Sequence, residues 1–151
     1  MEKKSFQSII ETLPGVFHAL NWGQPIEQDL IEILVQNART NSKHKSRYCL
    51  HPNPSELLQV TYLAFTKPYL DKIHKHPYKV EVVLPIYGKA LHNTYNSDEK
   101  IIRSVKMDGS NPLALTTTNG LWHSVEILSK DFVMLEIGLG PFLSTSTIFK
   151  K

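Results

Sequence analysis

The sequence predicts a single, mainly β domain with a short helical segment near its N-terminus. A length of 151 residues suits one compact domain with one hydrophobic core. After Arg47, short runs rich in β-branched and aromatic residues follow one another, and turn-forming residues separate most of them. Many short strands at this spacing, without helices between them, favour an antiparallel sandwich or barrel.

The helical segment is predicted from the residues that follow Pro25. Proline suits the first turn of a helix because its missing N–H costs nothing there, and Glu27 and Asp29 favour the positive end of the helix dipole. Apolar residues then recur at the spacing of one buried helix face: Leu30, Ile31, Leu34, Val35 and Ala38. The helix is predicted to end at Asn41-Ser42. A weaker helical turn is predicted around Ser8–Leu13.

The β region begins close to Arg47. The predicted strands are Leu57–Phe65, Val80–Tyr87, Ala90–Tyr95, Ile101–Lys106, Leu113–Thr117, Trp122–Ile127 and Phe132–Ile137. Turn signals such as Tyr87-Gly88 and Ser129-Lys130-Asp131 separate them. We therefore expect a helical segment at residues 1–45 and a β-barrel domain at residues 46–151, which together form one structural domain.

Composition and charge exclude several classes of protein. Hydrophobic residues make up 41% and charged residues 21%, a balance typical of globular rather than disordered chains. The net charge of +3 is small and its cations are scattered, so we expect no nucleic-acid partner. The densest basic stretch, Arg39–Arg47, is interpreted either as a solvated loop or as an anion-binding rim.

Location is predicted from what the sequence lacks. Cys49 is the single cysteine, so the chain has no internal disulfide and a reducing compartment is favoured. The apolar stretch Ile9–Leu13 contains Glu11 and stops at Pro14, unlike a secretory signal. No run of ~18 apolar residues is present, so we expect no membrane span and a cytoplasmic protein.

Four ligand-type residues point to a metal site. His74 and His76 are two apart, so on a strand both imidazoles point to one face. Pro77-Tyr78-Lys79 is interpreted as a corner, after which Glu81 starts a neighbouring strand and can face the same centre. His123 lies far along the chain, and barrel closure would return it to the others. His18, His44 and His92 are interpreted as structural or solvated.

This donor set indicates a class of metal. Three neutral imidazoles and one carboxylate suit Fe(II), Mn(II), Co(II), Ni(II), Cu(II) or Zn(II), and they disfavour Ca(II) or Mg(II). Because thiolate ligands are absent from the set, a purely structural zinc site is disfavoured. Four protein ligands on an octahedral ion leave positions open for water or substrate.

These residues resemble the motifs of the cupin superfamily. His74-x-His76, then Glu81 and Gly88, follow the first cupin motif, while Gly120-Leu121-Trp122-His123 keeps the Gly and His of the second motif. Thr118 stands where that second motif usually has Pro, and Ile127 stands where it often has Asn. The resemblance implies an antiparallel double-stranded β-helix, the cupin jelly roll, which binds one metal ion through His74, His76, Glu81 and His123.

The chain also resembles the WbuC-type cupin fold metalloproteins over roughly residues 30–142. That resemblance is carried by Ala38-Arg39, Leu50-His51-Pro52, Gln59, His74-x-His76-Pro77, Leu135-Glu136 and Gly140-Pro141-Phe142. It implies a role for His51 and Gln59 near the pocket, and Arg47 is expected to bind a phosphate or carboxylate there. Members of that family occur among gene clusters for bacterial surface polysaccharides.

Fold and motif leave the function open between classes. The leading hypothesis is an enzyme that uses one divalent ion of Fe, Mn, Ni or Zn on a small polar metabolite, such as a sugar, sugar derivative or sugar phosphate. The reaction would be of the isomerase, epimerase or dioxygenase type, and the sequence identifies no catalytic acid or base. The alternative is a non-catalytic module that binds a metal and a ligand. A homodimer is a further expectation, because cupins often pair.

Overall fold

A computed structural model describes residues 9–117 and 120–151. In chain order the elements are β1 (Ile9–Leu13), β2 (Val16–Ala19), α1 (Gln28–Thr40), β3 (Lys45–Cys49), β4 (Leu58–Thr66), β5 (His74–Lys75), β6 (Glu81–Tyr95), β7 (Ile101–Met107), β8 (Leu115–Thr117), β9 (Trp122–Leu139), a 3₁₀ turn (Ser144–Ser146) and β10 (Ile148–Phe149). Strands dominate and one α-helix lies near the N-terminus, which confirms the predicted fold class.

Helix α1 forms where its periodicity predicts it. The five apolar residues at helical spacing are all buried, and Asp29 in the first turn and Arg39 in the last turn match the helix dipole. The buried face packs on β3 and β4, where the Ser46 hydroxyl donates to Leu34 O at 2.6 Å. The apolar face of the helix and these strands therefore form a first core.

The chain ahead of α1 is extended where a weak helical turn was predicted. Of the predicted turn around Ser8–Leu13, Ser8 lies outside the described residues, and Ile9–Leu13 is strand β1. It pairs antiparallel with β2 through a turn at Gly15, whose φ of +75° suits a residue without a Cβ. Pairing between β1 and β2 satisfies backbone groups that a single helical turn would leave open. The prediction for this segment was wrong.

Strand β9 lies at the centre of the barrel. It pairs antiparallel with β4 on one edge and with β6 on the other. Near its start, His123 of β9 also pairs with His74 of β5. The inner face carries the second core, with Phe65, Ala90, Met107 and Phe132 at most 2% exposed. The described pairs are antiparallel except for β2 with β3, which run parallel.

Two predicted turns are irregularities inside long strands. Val80–Tyr87 and Ala90–Tyr95 join into β6, and Trp122–Ile127 and Phe132–Ile137 join into β9. The register between β6 and β9 shifts on both sides of Gly88. Turn-type residues are also typical of β-bulges, which bend a strand without ending it. The strand limits predicted there were wrong for that reason.

Within the part of the chain that the structure describes, no helix has both the length and the apolar character needed to cross a membrane.

Candidate metal centre

Three imidazoles meet at one end of the barrel. His74 on β5 is the register partner of His123 at the start of β9, and His76 follows two residues after His74. The ring centroids lie 4.4 Å apart for His74 and His123, and 5.2 Å apart for His76 and each of the others. One potential ligand atom from each of the three residues lies within 4.8 Å of the others.

The backbone fixes the orientation of each ring. In all three imidazoles Nδ1 donates to a carbonyl oxygen, since a carbonyl can only accept. The pairs are His74 with Lys72 O at 2.7 Å, His76 with Ser146 O at 3.1 Å and His123 with Leu121 O at 2.9 Å. A neutral imidazole that donates through Nδ1 offers the lone pair of Nε2, and such anchoring is typical of metal-binding histidines.

The surroundings favour neutral imidazoles. Burial lowers the pKa of His74, His76 and His123, and the Asp71 carboxylate opposes that effect on His74. Asp71 Oδ2 lies 3.9 Å from His74 Nδ1 and accepts from the backbone N–H of Val125 at 3.0 Å. Neutral imidazole is the form that coordinates a metal ion.

Glu81 lies at the edge of this three-histidine group. Its Oε2 is 3.5 Å from His76 Nε2, and its Oε1 is 2.6 Å from Lys79 Nζ. A Cβ at Gly138 would lie 2.5 Å from Lys79 Cε, so the glycine makes room for the lysine. One carboxylate oxygen therefore faces the imidazoles while the other is held by an ammonium group that sequence reasoning had not included.

A second carboxyl, half-buried, lies beside Glu81. Burial and the charge of Glu81 raise the pKa of Glu136 to about 7, and its Oε1 is 3.9 Å from Lys79 Nζ. The sequence placed Glu136 on a strand without assigning it a role. Glu136 stands two residues before Gly138, so both point to the same face of β9. Because Gly138 is the register partner of Glu81, that face is the one on which Glu81 lies.

His92 lies in this neighbourhood and is buried, so of the two interpretations given to it, structural or solvated, burial excludes the solvated one. Its ring stacks at 5.4 Å and 15° on that of His123. Among the described residues Nε2 of His92 is buried and finds no hydrogen-bond partner, and burial lowers the pKa of this imidazole to about 4. The position of His92 depends on strand pairing, which the sequence does not show. Strand β6 places Thr94 opposite His123, and His92 lies two residues before Thr94 on the same face.

An open, largely polar cleft adjoins His92 and His123. Its volume is about 990 Å³, and its lining includes Thr94, Arg103 and Thr117 as well as both imidazoles. The lining thus combines two cationic groups, those of Arg103 and Lys106, with the Asp108 carboxylate, hydroxyl groups and the edge of the three-histidine group. Such a cleft suits a small polar ligand that bears an anionic group.

The three residues predicted to bind substrate lie elsewhere than along this cleft. Arg47 is on β3, opposite Leu63 on β4. The Gln59 amide donates to Glu56 O at 2.6 Å, and His51 is 2% exposed with Nδ1 3.1 Å from Val60 O. Their role in substrate binding stays a prediction.

The residues present fit a transition-metal ion. The structure offers three neutral, backbone-anchored imidazoles and one carboxylate oxygen, which matches the donors preferred by Fe(II), Mn(II), Ni(II) and Zn(II).

The glycine of the first motif has a different role. A Cβ at Gly88 would overlap the carbonyl oxygen of Asp131, so this residue serves strand packing rather than coordination.

Solved structures share this fold at low sequence identity. CapF from Staphylococcus aureus, described as a capsular polysaccharide assembling protein, matches with a TM-score of 0.59 and 22% identity over 70% of this chain and 30% of that chain. Oxalate oxidase in complex with the substrate analogue glycolate matches with a TM-score of 0.57 and 14% identity, over 73% of this chain and 57% of that chain. Oxalate decarboxylase from Bacillus subtilis matches with a TM-score of 0.55 and 20% identity, over 70% of this chain and 27% of that chain.

These matches show the cupin fold, as the motif resemblance implies. This chain spans about a third of the length of CapF. A sequence search of curated proteins finds no significant match. One family profile matches residues 26–107, more than half of the chain, and this range includes His74, His76 and Glu81. The protein has the cupin fold and belongs to the family described as a domain of unknown function (DUF6016).

Proposed function

We propose that this protein is a metal-dependent enzyme of the cupin type that acts on a small polar metabolite, such as a sugar or sugar derivative, in surface-polysaccharide metabolism. The observation that carries the proposal is the convergence of His74, His76 and His123 beside an open polar cleft. His74, His76, His123 and Glu81 Oε2 are the proposed ligands of one divalent first-row ion of Fe, Mn, Ni or Zn.

The cleft supports the proposed class of substrate. Arg103 supplies a guanidinium that suits a phosphate or carboxylate, and hydroxyl groups such as those of Thr94 and Thr117 suit sugar hydroxyls. When bound, the ion would supply Lewis-acid polarisation of a substrate hydroxyl or carbonyl oxygen. His123 lines the cleft and belongs to the three-histidine group, so a ligand in the cleft would lie beside that group.

Two resemblances support the proposed pathway class. CapF is described as a capsular polysaccharide assembling protein. The WbuC-type proteins, which this chain resembles in its motifs, occur among gene clusters for surface polysaccharides. Membership of the WbuC-type family, a cytoplasmic location and a homodimeric state are parts of this proposal, each open to a direct test.

Metal analysis tests the site. In protein purified without added metal the three-histidine group should carry close to one equivalent of a first-row ion, which inductively coupled plasma mass spectrometry measures as the difference in metal content between wild type and His76→Ala. His76→Ala and His123→Ala should each lower that occupancy strongly, because each removes one inner-sphere nitrogen. His44→Ala is the matched control, since His44 lies outside the three-histidine group and its replacement should leave occupancy unchanged. Failure of Fe(II), Mn(II) and Zn(II) all to bind would refute the proposal.

Activity assays separate the enzyme from the non-catalytic alternative. Metal-loaded protein would be incubated with a panel of sugars, sugar phosphates and nucleotide sugars, and product formation followed by NMR. Conversion that is lost in His123→Ala supports the enzyme. Saturable binding without conversion would favour the binding module instead. Oxygen consumption with Fe(II) and not with Zn(II) would identify an oxygenase.

A further inference from the structure

A second group of ligand-type side chains lies in the sheet ahead of β5. One potential ligand atom from each of His18, Cys49 and His51 lies within 4.8 Å of the others. The three residues are 5%, 5% and 2% exposed. Neither the motif resemblance nor the proposed enzyme function uses this group as a metal site.

The topology brings these residues to one face of the sheet. His18 on β2 and Cys49 on β3 are register partners in the parallel pair, so their side chains project side by side. His51 follows Cys49 by two residues, the same spacing that relates His74 and His76. The flanking pair, Phe17 and Tyr48, packs toward helix α1 on the opposite face.

Backbone hydrogen bonds hold both imidazoles. His18 Nδ1 donates to the His51 carbonyl oxygen at 3.1 Å, which leaves Nε2 of His18 with a lone pair. The Val60 N–H donates to His51 Nδ1 at 3.0 Å, and Val60 O lies 3.1 Å from the same nitrogen. Nε2 of His51 therefore becomes a ligand atom in the other tautomer, in which Nδ1 donates to Val60 O. The rings meet edge to face at 5.4 Å. The carbonyl that holds His18 Nδ1 anchors this ring as the rings of the three-histidine group are anchored.

The sulfur completes a donor set with a clear preference. Two imidazoles and a thiolate suit Zn(II) and other thiophilic ions, whereas hard ions such as Mg(II) prefer oxygen. The Thr61 hydroxyl lies 3.8 Å from Cys49 Sγ and is placed to donate to it. In a tetrahedral zinc site ligand atoms are about 3.3–3.6 Å apart, so closure on an ion requires side-chain shifts of about 1 Å.

We propose that His18, Cys49 and His51 form a second metal site, specific for Zn(II) or an ion of similar thiophilicity and distinct in its ligands from the three-histidine group. Bound there, the ion would link β2, β3 and the segment after β3. Strand β2 is four residues long and pairs with β3 at three register positions.

Cobalt spectroscopy tests the site selectively. Metal-stripped protein would be titrated with Co(II), and the thiolate-to-cobalt charge-transfer band in the near ultraviolet recorded. Because Cys49 is the only cysteine in the sequence, this band reports on the proposed site alone. Wild-type protein should develop the band and saturate it by two equivalents of Co(II), because the three-histidine group also binds the ion. His76→Ala should keep the band, and Cys49→Ser should lose it.

Metal stoichiometry and local structure complete the test. Wild-type protein should bind two equivalents of Zn(II), and Cys49→Ser and His76→Ala one each. His18→Ala should weaken the affinity of the Cys49 site at least tenfold, with folding checked by circular dichroism. X-ray absorption of the zinc in His76→Ala should show a sulfur neighbour at about 2.3 Å. This variant keeps all three ligands of the proposed second site. A wild-type protein without the cobalt band, or a zinc spectrum without sulfur, would overturn the proposal.

Discussion

Gly88 provides a sharp test of how the strands pack. Its φ is +79°, and an added Cβ would overlap the carbonyl oxygen of Asp131 and lie 2.7 Å from Ser129 Oγ. Gly109 has nearly the same φ, +80°, yet the nearest atom to its added Cβ is Ile86 O at 3.6 Å. The two glycines therefore share the backbone strain of an alanine substitution and differ in the space around it.

The expected magnitudes follow from these two environments. A non-glycine residue in the left-handed region costs about 1–2 kcal/mol, which applies to both Gly88→Ala and Gly109→Ala. Steric overlap adds about 1–3 kcal/mol at Gly88, where the neighbour is backbone and can yield little. The gain from restricting the unfolded chain is common to both variants and cancels in the comparison.

Urea unfolding measures the difference. Gly88→Ala should unfold at lower urea than Gly109→Ala with an unchanged m-value, and its melting temperature should fall by roughly 2–4 °C for each kcal/mol of the difference. Metal content of the folded protein should stay the same, because Gly88 supplies no ligand. Equal losses in the two variants would refute the argument from close packing.

Three further predictions concern the core and the titratable groups. Phe132→Ala should lower the free energy of unfolding by about 3–5 kcal/mol, since Phe132 is 0% exposed, whereas Tyr78→Ala at 95% exposure should change it by less than about 0.5 kcal/mol. Burial lowers the pKa of Lys45 to about 8 from 10.5, so the unfolded chain binds more protons between these values and stability rises with pH there. Lys45→Met should remove that rise in urea titrations at about pH 8 and 10, and an identical rise in wild type and variant would contradict the assignment. Burial also lowers the pKa of the three clustered imidazoles, so metal binding should persist at about pH 6 and weaken near about pH 5, as competition titrations would show. Loss of binding already above ~6.5 would mean that these imidazoles titrate like exposed ones.

Features that depend on neighbours in the chain were predictable from the sequence. Helix α1 follows from apolar residues three and four apart, and its limits agree with the prediction within a few residues. The shared direction of His74 and His76 follows from the alternation of side chains along an extended backbone. Short runs of strand-forming residues likewise predicted the fold class, because each run needs only its own pattern.

The strand limits were less predictable because one residue type serves two purposes. Glycine and polar residues near Gly88 favour a turn by composition, yet they form a bulge because β9 continues to pair with β6 on both sides. Whether a strand ends or bends at such a point depends on its partner. That partner lies more than 30 residues away in sequence, as the pairing of Gly88 with Phe132 shows.

The composition of the sites was decided by strand register, which couples residues far apart in the chain. Register brings His123 to His74 and places His92 beside them, and the chain near Ser146 returns to anchor the ring of His76. It also sets His18 beside Cys49, although neither residue carries a motif. The sequence by itself therefore determined the kind of ligand available at each position, whereas the tertiary structure decided which ligands meet, because pairing energies summed over whole strands select one register.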